Sequence, residues 1–330
     1  MKKSSAFSRF RGSKNFSIVI VLVIVCIVAT AINRNYIIVD NIKLILYSCA
    51  LSGTLAVGVG CILISGSVDL SCAAVGCMAG ILITTVLNTG TPWVLALIII
   101  LIYGALCGLI NAFFSYVLKL MPFIVTLAML SVWQGIGYVL TNNATIMNTN
   151  KSFWDFCSGT LFGLIPYSFI YFCILAIIYG FILSNTKFGR KIYMVGGNRN
   201  AARLAGISIS KMGTIMMVNC SVLGAFGGAI LAGRMHGGNA SSVHGTQLTA
   251  ITAVVMGGVA FSGGSGNMLG AFLGILLLNA FNNALTVVGL SSFWQILSSG
   301  VLLIFALMLD FFNSQRNERI LKQLDASTAQ

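Results

Sequence analysis

The sequence predicts an all-α membrane protein of about ten transmembrane helices with both termini in the cytoplasm. Three observations carry that prediction. Of the 330 residues, 58% are hydrophobic and only 8% are charged. A soluble domain carries roughly 25% charged residues, so a single soluble core could not keep this surface wet. Apolar stretches of membrane-spanning length recur along the whole chain. Backbone groups in lipid must be satisfied within their own element, which selects helices, and the alternating pattern of a membrane barrel is absent. Finally, the cations gather at helix ends and in loops, where they act as topology signals and lipid-surface contacts. Their placement reads the net charge of +13 as a membrane feature and not as a nucleic-acid footprint.

The expected spans are 16–33, 43–65, 69–88, 92–118, 122–141, 164–184, 212–233, 245–261, 267–288 and 292–312. They divide the chain into a basic tail (1–15), a transmembrane domain (16–312) and a C-terminal tail (313–330). Lys2, Lys3, Arg9, Arg11 and Lys14 precede the first apolar run, and Ala29-Thr30-Ala31 resembles a signal-peptidase site. The run is longer than a signal-peptide core, so it reads as an uncleaved first helix. Pro92, Pro122 and Pro166 stand at or near span starts, where a missing N–H costs little. The eighth span is the shortest, and its loss would change the parity of the count.

Glycine is patterned. Gly76 and Gly80, Gly104 and Gly108, Gly224 and Gly228, and Gly266, Gly270 and Gly274 are spaced four apart, which puts small residues on one helix face and allows close approach. A short internal echo links Ile64-Ser65-Gly66 to Phe261-Ser262-Gly263. Each tripeptide is followed by a small-residue helix and then by Trp93 or Trp294, as in a parallel repeat.

Residues 185–211 form the one long polar island inside the apolar chain. It holds Lys187, Arg190, Lys191, Arg199, Arg203 and Lys211 and no acid. With the N-terminus inside, fifteen cations fall on the cytoplasmic side and four outside, a bias that sets orientation. Within the island, Asn198 or Asn200 can cap a short helix, Ala201 and Ala202 give it a small-residue face, and Gly206 can end it before Ile207. Such a stub can seat in a groove of another protein.

Polar residues inside the spans are few. Asp69 sits at the junction of the second and third spans and reads as a helix cap or a solute contact. Asn111, Gln134, Asn219, Gln247, Asn279, Asn282, Asn283 and Gln295 can join helices or line a path. Asn279, Asn282 and Asn283 share one face. Eight of the nine cysteines fall in apolar runs and Cys157 in a loop, with no disulfide or zinc spacing. His236 and His244 lie in the loop from Gly233 to Gly245 without further metal ligands nearby, so the loop reads as a flexible surface facing an external partner. GxxxxGK[ST] is absent, so the chain has no P-loop of its own. Only six acids occur, and no buried acid pair suggests a proton relay.

Several segments together resemble the sugar-type ABC-transporter permeases, the ribose/galactoside/autoinducer family. FGRKIYMVGGNRNAARLAGISISK, from Phe188 to Lys211, is similar to that family's cytoplasmic coupling loop. LISGSVDLS, from Leu63, resembles its SGGIDLSVG motif, and MPFIVTLAMLSVWQGIG, from Met121, its PSFIxTLGxxxxxxG segment. LTAITAVVMGGVAFSGGSGNMLGAFLG, from Leu248, resembles the late ELDAIAAVVLGGxxxxGGxGxxxGxxxG stretch. Ser67-Val68 and Cys72-Ala73 depart from the pattern, Gln247 and Thr249 replace two acids, and Asn200 stands where Glu is frequent. The resemblance implies a permease domain over 16–312 in the bacterial inner membrane, importing a small neutral solute, most readily a monosaccharide. It implies a cytoplasmic ATPase gripping Asn198, Asn200, Ala201, Ala202, Arg203, Gly206 and Ile207. It further implies an extracytoplasmic solute-binding protein, a second permease subunit (identical or related) and no cofactor. An ion-coupled secondary transporter, and an ABC permease for a nucleoside or a branched-chain amino acid, are the alternatives.

Overall fold

The computed structural model describes residues 14–243 and 245–328. Lys2, Lys3, Arg9, Arg11 and His244 lie outside the described residues, as do the side chains of Lys14, Arg316, Arg319 and Lys322. In chain order the elements are α1 (Lys14–Ile32), α2 (Val39–Ile64), α3 (Cys72–Asn88) and α4 (Trp93–Ala112), the last continued by a π-helical turn, Phe113–Val117. Then come α5 (Pro122–Thr141), β1 (Ile146–Met147), α6 (Lys151–Ser158), β2 (Thr160–Leu161), β3 (Ile165–Pro166) and α7 (Tyr167–Asn185). The island forms α8 (Lys187–Gly197) and α9 (Arg199–Leu204). The chain ends with α10 (Ile209–Arg234), β4 (Gly237–Gly238), α11 (Thr246–Met256), α12 (Met268–Val287) and α13 (Ser292–Thr328). Eight helices among the described residues are long and apolar enough to cross a membrane, and α3 and α11 are apolar but shorter.

α2 and α10 form the centre. Small residues let their neighbours approach to backbone contact. A Cβ added at Gly228 of α10 would lie 1.9 Å from the Gly76 carbonyl oxygen of α3, and one at Gly108 of α4 would lie 2.4 Å from the Cα of Val218 in α10. One at Gly274 of α12 would lie 2.0 Å from the Ala253 carbonyl of α11. The four-residue glycine spacing is therefore a set of helix crossings, the packing that substitutes for the hydrophobic effect in lipid, except at Gly266, which lies in the loop before α12 at φ +124° against Val259. The turn after α1 is tied to α12 by hydrogen bonds from Asn33 Nδ2 to the Val287 carbonyl (2.8 Å) and from Tyr36 Oη to the Ala280 carbonyl (3.0 Å).

The segment predicted as the span 245–261 has a different form. The helix covers only Thr246–Met256, about 16 Å at 1.5 Å per residue, half of a hydrocarbon core of ~30 Å. The other half is irregular chain. β4 pairs with β1 in antiparallel register, Ile146 opposite Gly238, and Gly238 abuts Gly80 of α3. From there the chain descends beside α3: Ala240 is buried against Gly137 of α5, and the Val243 N–H approaches Cys77 Sγ at 3.3 Å. α11 then starts part-way along α3 and runs to the loop 257–267. Non-helical backbone at membrane depth is tolerated where protein buries it. Apolar composition alone could not distinguish this broken span from a continuous helix.

Among the described residues of 233–245, Gly237, Gly238, Ala240 and Val243 are buried, while Met235, His236 and Ser241 stay exposed. The His236 ring stacks on Trp154 at a centroid distance of 4.0 Å. Cys157 belongs to the amphipathic helix α6 rather than to a loop, and it is fully buried against Gly233. All nine cysteines are free thiols.

Candidate coupling stub and solute path

The island is built from three side-chain caps and one glycine stop. Thr186 Oγ1 accepts from the Gly189 N–H at 3.0 Å and starts α8. Asn198, with extended backbone at φ −154°, breaks α8 from α9. Its Oδ1 accepts from the Asn200 and Ala201 N–H groups, both at 3.0 Å, so Asn198 and not Asn200 is the cap. Gly206, at φ +75°, ends α9. Its N–H donates to the Arg203 carbonyl and the Ile207 N–H to the Ala202 carbonyl, both at 3.0 Å. This is a Schellman stop, for which glycine is the low-cost residue. Ser208 Oγ then accepts from the Lys211 N–H and opens α10.

These turns decide which side chains face out. Ala202 is fully buried, and Ile207 packs on the core beside it. Asn200, Ala201, Arg203 and Leu204 are exposed, Leu204 at 90%. A leucine so exposed on a polar stub is not explained by folding of this chain.

The inner side of the island meets two membrane-edge loops. Gly196 sits where a Cβ would lie 1.9 Å from the Ile64 carbonyl oxygen and 2.6 Å from the Gly264 nitrogen. The Gly264 N–H donates to the same Ile64 carbonyl at 2.8 Å. Gly263 lies equally close to Gly66, a Cβ there being 2.7 Å from the Gly66 Cα. The echoing tripeptides 64–66 and 261–263 thus meet each other under the island. Two side chains bolt the junction: Arg199 Nη2 donates to the Gly66 carbonyl at 2.7 Å, and Tyr193 Oη to the Gly266 carbonyl at 2.8 Å. Burial pushes the Tyr193 phenol above its ordinary pKa, so it stays a hydrogen-bond donor. Tyr193, Gly196, Arg199 and Leu204 were not singled out as site residues from the sequence. The Gly196-Gly197 pair, with Arg199 two residues on, was the available signal.

The loop after α2 continues to Asp69, which is fully buried. Its Oδ1 accepts from the Ser71 N–H (2.8 Å) and the Ser71 hydroxyl (2.7 Å). Asp69 therefore closes a turn ahead of α3 and does not cap that helix's first-turn N–H groups. Asn111 Nδ2 donates to Ser71 Oγ at 2.8 Å, joining α4 to the same turn. Tyr116 and Ser67 share a hydroxyl–hydroxyl bond of 2.8 Å.

The asparagines of α12 do not line a common path. Asn279 Nδ2 donates to Ser52 Oγ of α2 at 2.9 Å, and Asn283 exchanges a reciprocal pair of amide bonds with Asn41 at 2.8 and 2.9 Å. Asn282 takes part in neither set, and its buried Oδ1 has no hydrogen-bond partner. Asn219 accepts from Tyr179. Beside them, Ala73, Ala74 and Cys77 of α3, Leu130 and Gln134 of α5, Val243, and Gln247 of α11 line a narrow cleft of about 10 Å³. None of its lining side chains is charged.

Apolar helices around an uncharged cleft, with a capped polar stub standing off one face, define a multi-pass membrane transport subunit. The family model for branched-chain amino acid transport system / permease component matches residues 41–307, and the chain belongs to that family. It is 34% identical to the ribose import permease protein RbsC of Bacillus subtilis (strain 168), over 88% of this chain and 90% of that protein. Identity to the L-arabinose ABC transporter permease protein AraH of Azospirillum brasilense is 31%, over 84% and 81% of the two chains. Identity to the ribose import permease protein RbsC of Escherichia coli (strain K12) is 28%, over 89% and 92%. No solved structure matches. Family and helices together make this a multi-pass protein of the bacterial inner membrane.

Proposed function

We propose that this chain is the permease subunit of an ABC importer that passes a monosaccharide by ATP-driven alternating access. The exposed, capped stub α9 carries the reading: a chain without a P-loop that presents Ala201, Arg203 and Leu204 outward has a surface suited to a separate energy-supplying subunit. The ribose and arabinose permeases among its relatives support a sugar. The family's description names branched-chain amino acids, but such a solute brings a carboxylate and an ammonium, and the cleft offers neither a partner charge.

In this reading the island is cytoplasmic, as the cation bias requires, and both termini are on the same side. Residues 1–15 and 313–330 are tails flanking the permease domain 16–312, in which ten helical segments cross or enter the membrane, α11 as the helical half of a broken span. A cytoplasmic ATPase grips α9, while Asn198, Ala202, Gly206 and Ile207 hold its shape and Asn200 lies at its rim. An extracytoplasmic solute-binding protein docks on the opposite face, and a second permease subunit closes the path. When ATP binding draws two ATPases together, each stub pulls on loops 64–71 and 257–267 through Arg199, Tyr193 and the backbone contact at Gly196. Asp69, Ser71 and Asn111 carry that pull to α3 and α4, while Asn279, Asn282 and Asn283 stay with the rigid frame.

The test is co-purification of the full chain with an ABC ATPase subunit of the sugar-importer class. Leu204→Asp is expected to abolish co-purification while membrane insertion and yield are unchanged. Retained co-purification at wild-type level would remove α9 as the docking surface.

A further inference from the structure

The C-terminal end of α4 carries two open grooves that neither the stub nor the central packing of α2 and α10 uses. The larger, about 750 Å³, is lined by Leu106, Leu109, Ile110, Phe113 and Val117, with Thr214 of α10 on one side. The smaller, about 220 Å³, is lined by Leu120, Ile124, Ala128 and Met129. Phe114 belongs to both and forms the ridge between them. From Leu106 to Val117 the larger groove runs about 16 Å at 1.5 Å per residue, one leaflet of a ~30 Å hydrocarbon core. Both grooves end at the turn 118–121. The π-helical turn builds that end: the Leu118 N–H donates to the Phe113 carbonyl at 3.0 Å, and the Leu120 N–H to the Phe114 carbonyl at 3.1 Å. Between them Lys119 is held at φ +59°, a left-handed position where glycine is the low-cost residue. The Tyr116 ring takes the space that a side chain at Gly213 would fill, so this turn lies against the start of α10. Lys211, three residues before Thr214, shares its face of α10. Lys119 and Lys211 are both exposed, and neither is in an ion pair among the described residues.

We propose that the two grooves hold the acyl chains of one anionic diacyl phospholipid, with its phosphate against Lys119 and Lys211. A two-tailed lipid has the matching shape: its tails part at the Phe114 ridge and its headgroup stays at the turn 118–121. The apolar walls accept any acyl chain, so selection for an anion comes from the two cations. Lysines at a membrane edge lay their stems on apolar surface and keep their ammonium groups in the headgroup layer. A second copy of this chain fits the site less well. It could cover the apolar walls, but it has no free carboxylate for the lysines among its described residues at this edge. Asp69 is buried, and Asp310 already accepts from the Phe261 N–H at 3.1 Å. Asp40 and Asp155 belong to the opposite ends of the helices. The choice of leaflet, the cytoplasmic one, rests on the reading that the island is cytoplasmic; the binding itself does not.

The experiment purifies the full chain in a neutral detergent and strips it of lipid. It is then titrated with dioleoylphosphatidylglycerol, dioleoylphosphatidylcholine or inorganic phosphate, with Tm and native mass spectrometry as readouts. One phosphatidylglycerol is expected to stay on each chain. It should bind roughly tenfold to thirtyfold tighter than phosphatidylcholine, the preference two lysines supply at a membrane surface, and the preference should fade at high salt. The double variant Lys119→Gln, Lys211→Gln is expected to bind both lipids equally, with its Tm in lipid-free detergent unchanged. Ala128→Trp, which fills the smaller groove, is expected to weaken both lipids and keep their ratio. Equal affinity of wild type for the two lipids overturns the proposal, as does a preference that survives in the double variant. If inorganic phosphate raises Tm as much as phosphatidylglycerol, the lysines bind a free anion and the grooves hold no lipid. A dimer that lipid leaves intact and Ala128→Trp dissociates would assign the grooves to a second copy. Should the double variant fail to fold, Lys119→Gln alone and the salt dependence of wild type decide, and a preference unchanged in both overturns the proposal. No ATPase is present, so failure of the importer reading and failure of the lipid site are separate results.

Discussion

α2 and α10 are each 26 residues long, and each buries 72% of its membrane-length stretch inside the protein. α1 buries 11% and the membrane part of α13 6%. The contrast is opposite to that of a soluble protein. α1 is the most apolar of the eight long helices yet lies at the rim, with Ile24, Ile27 and Ile32 exposed. α10 carries Gly224, Gly227, Gly228, Ser221 and Cys220 in its interior and is the hub. Lipid is as apolar as leucine, so large aliphatic side chains gain nothing by turning inward, and small residues that permit backbone contact take the centre. The same rule operates at the island, where Gly196, Gly263 and Gly264 make the inner contact while Leu204 points away.

This contrast can be broken most severely at its centre. Gly228→Leu puts a branched side chain where a Cβ already lies 1.9 Å from the Gly76 carbonyl, an atom of the backbone. Overpacking typically costs about 1–3 kcal/mol and more against rigid backbone, and the expected outcome is loss of the monodisperse peak in detergent gel filtration. A wild-type profile would mean that α3 and α10 do not cross there. A smaller effect is expected at the island. Asn198→Ala removes the acceptor shared by the Asn200 and Ala201 N–H groups and should lower stability by about 1 kcal/mol, read as a lower Tm of the purified chain, with faster amide exchange confined to α9. The least effect belongs to the rim. Ile27→Ala, at a side chain 62% exposed, is expected to change stability by less than about 0.5 kcal/mol. A loss comparable with that at Gly228 would show that α1 is covered by a partner and not by lipid.

Much of this architecture was legible in the sequence, and the exceptions have physical reasons. Long apolar runs report spans well, and α5 occupies the predicted 122–141. Glycine spacing reported the crossings, because Gly76, Gly108, Gly228 and Gly274 have few other uses in a helix. The Asn198 and Gly206 signals gave both ends of α9, since caps are local. Hydropathy failed between Gly238 and Val243, where Ala240 and Val243 are buried as irregular chain beside α3 and composition carries no conformational information. It also could not reveal that loops 64–66 and 261–263 touch, a long-range contact made through backbone atoms. Arg199 and Tyr193 looked like ordinary island residues, because their partners are main-chain carbonyls of distant glycines.

The central claim is that energy enters this permease from outside, through the stub. It is tested most directly by sugar uptake into proteoliposomes containing the full chain, alone or with an ABC ATPase and a solute-binding protein of the sugar-importer class. The account predicts accumulation of D-ribose or L-arabinose only when both partners and internal MgATP are present, with Leu204→Asp silent under the same conditions. Accumulation by the chain alone under a proton or sodium gradient would contradict it.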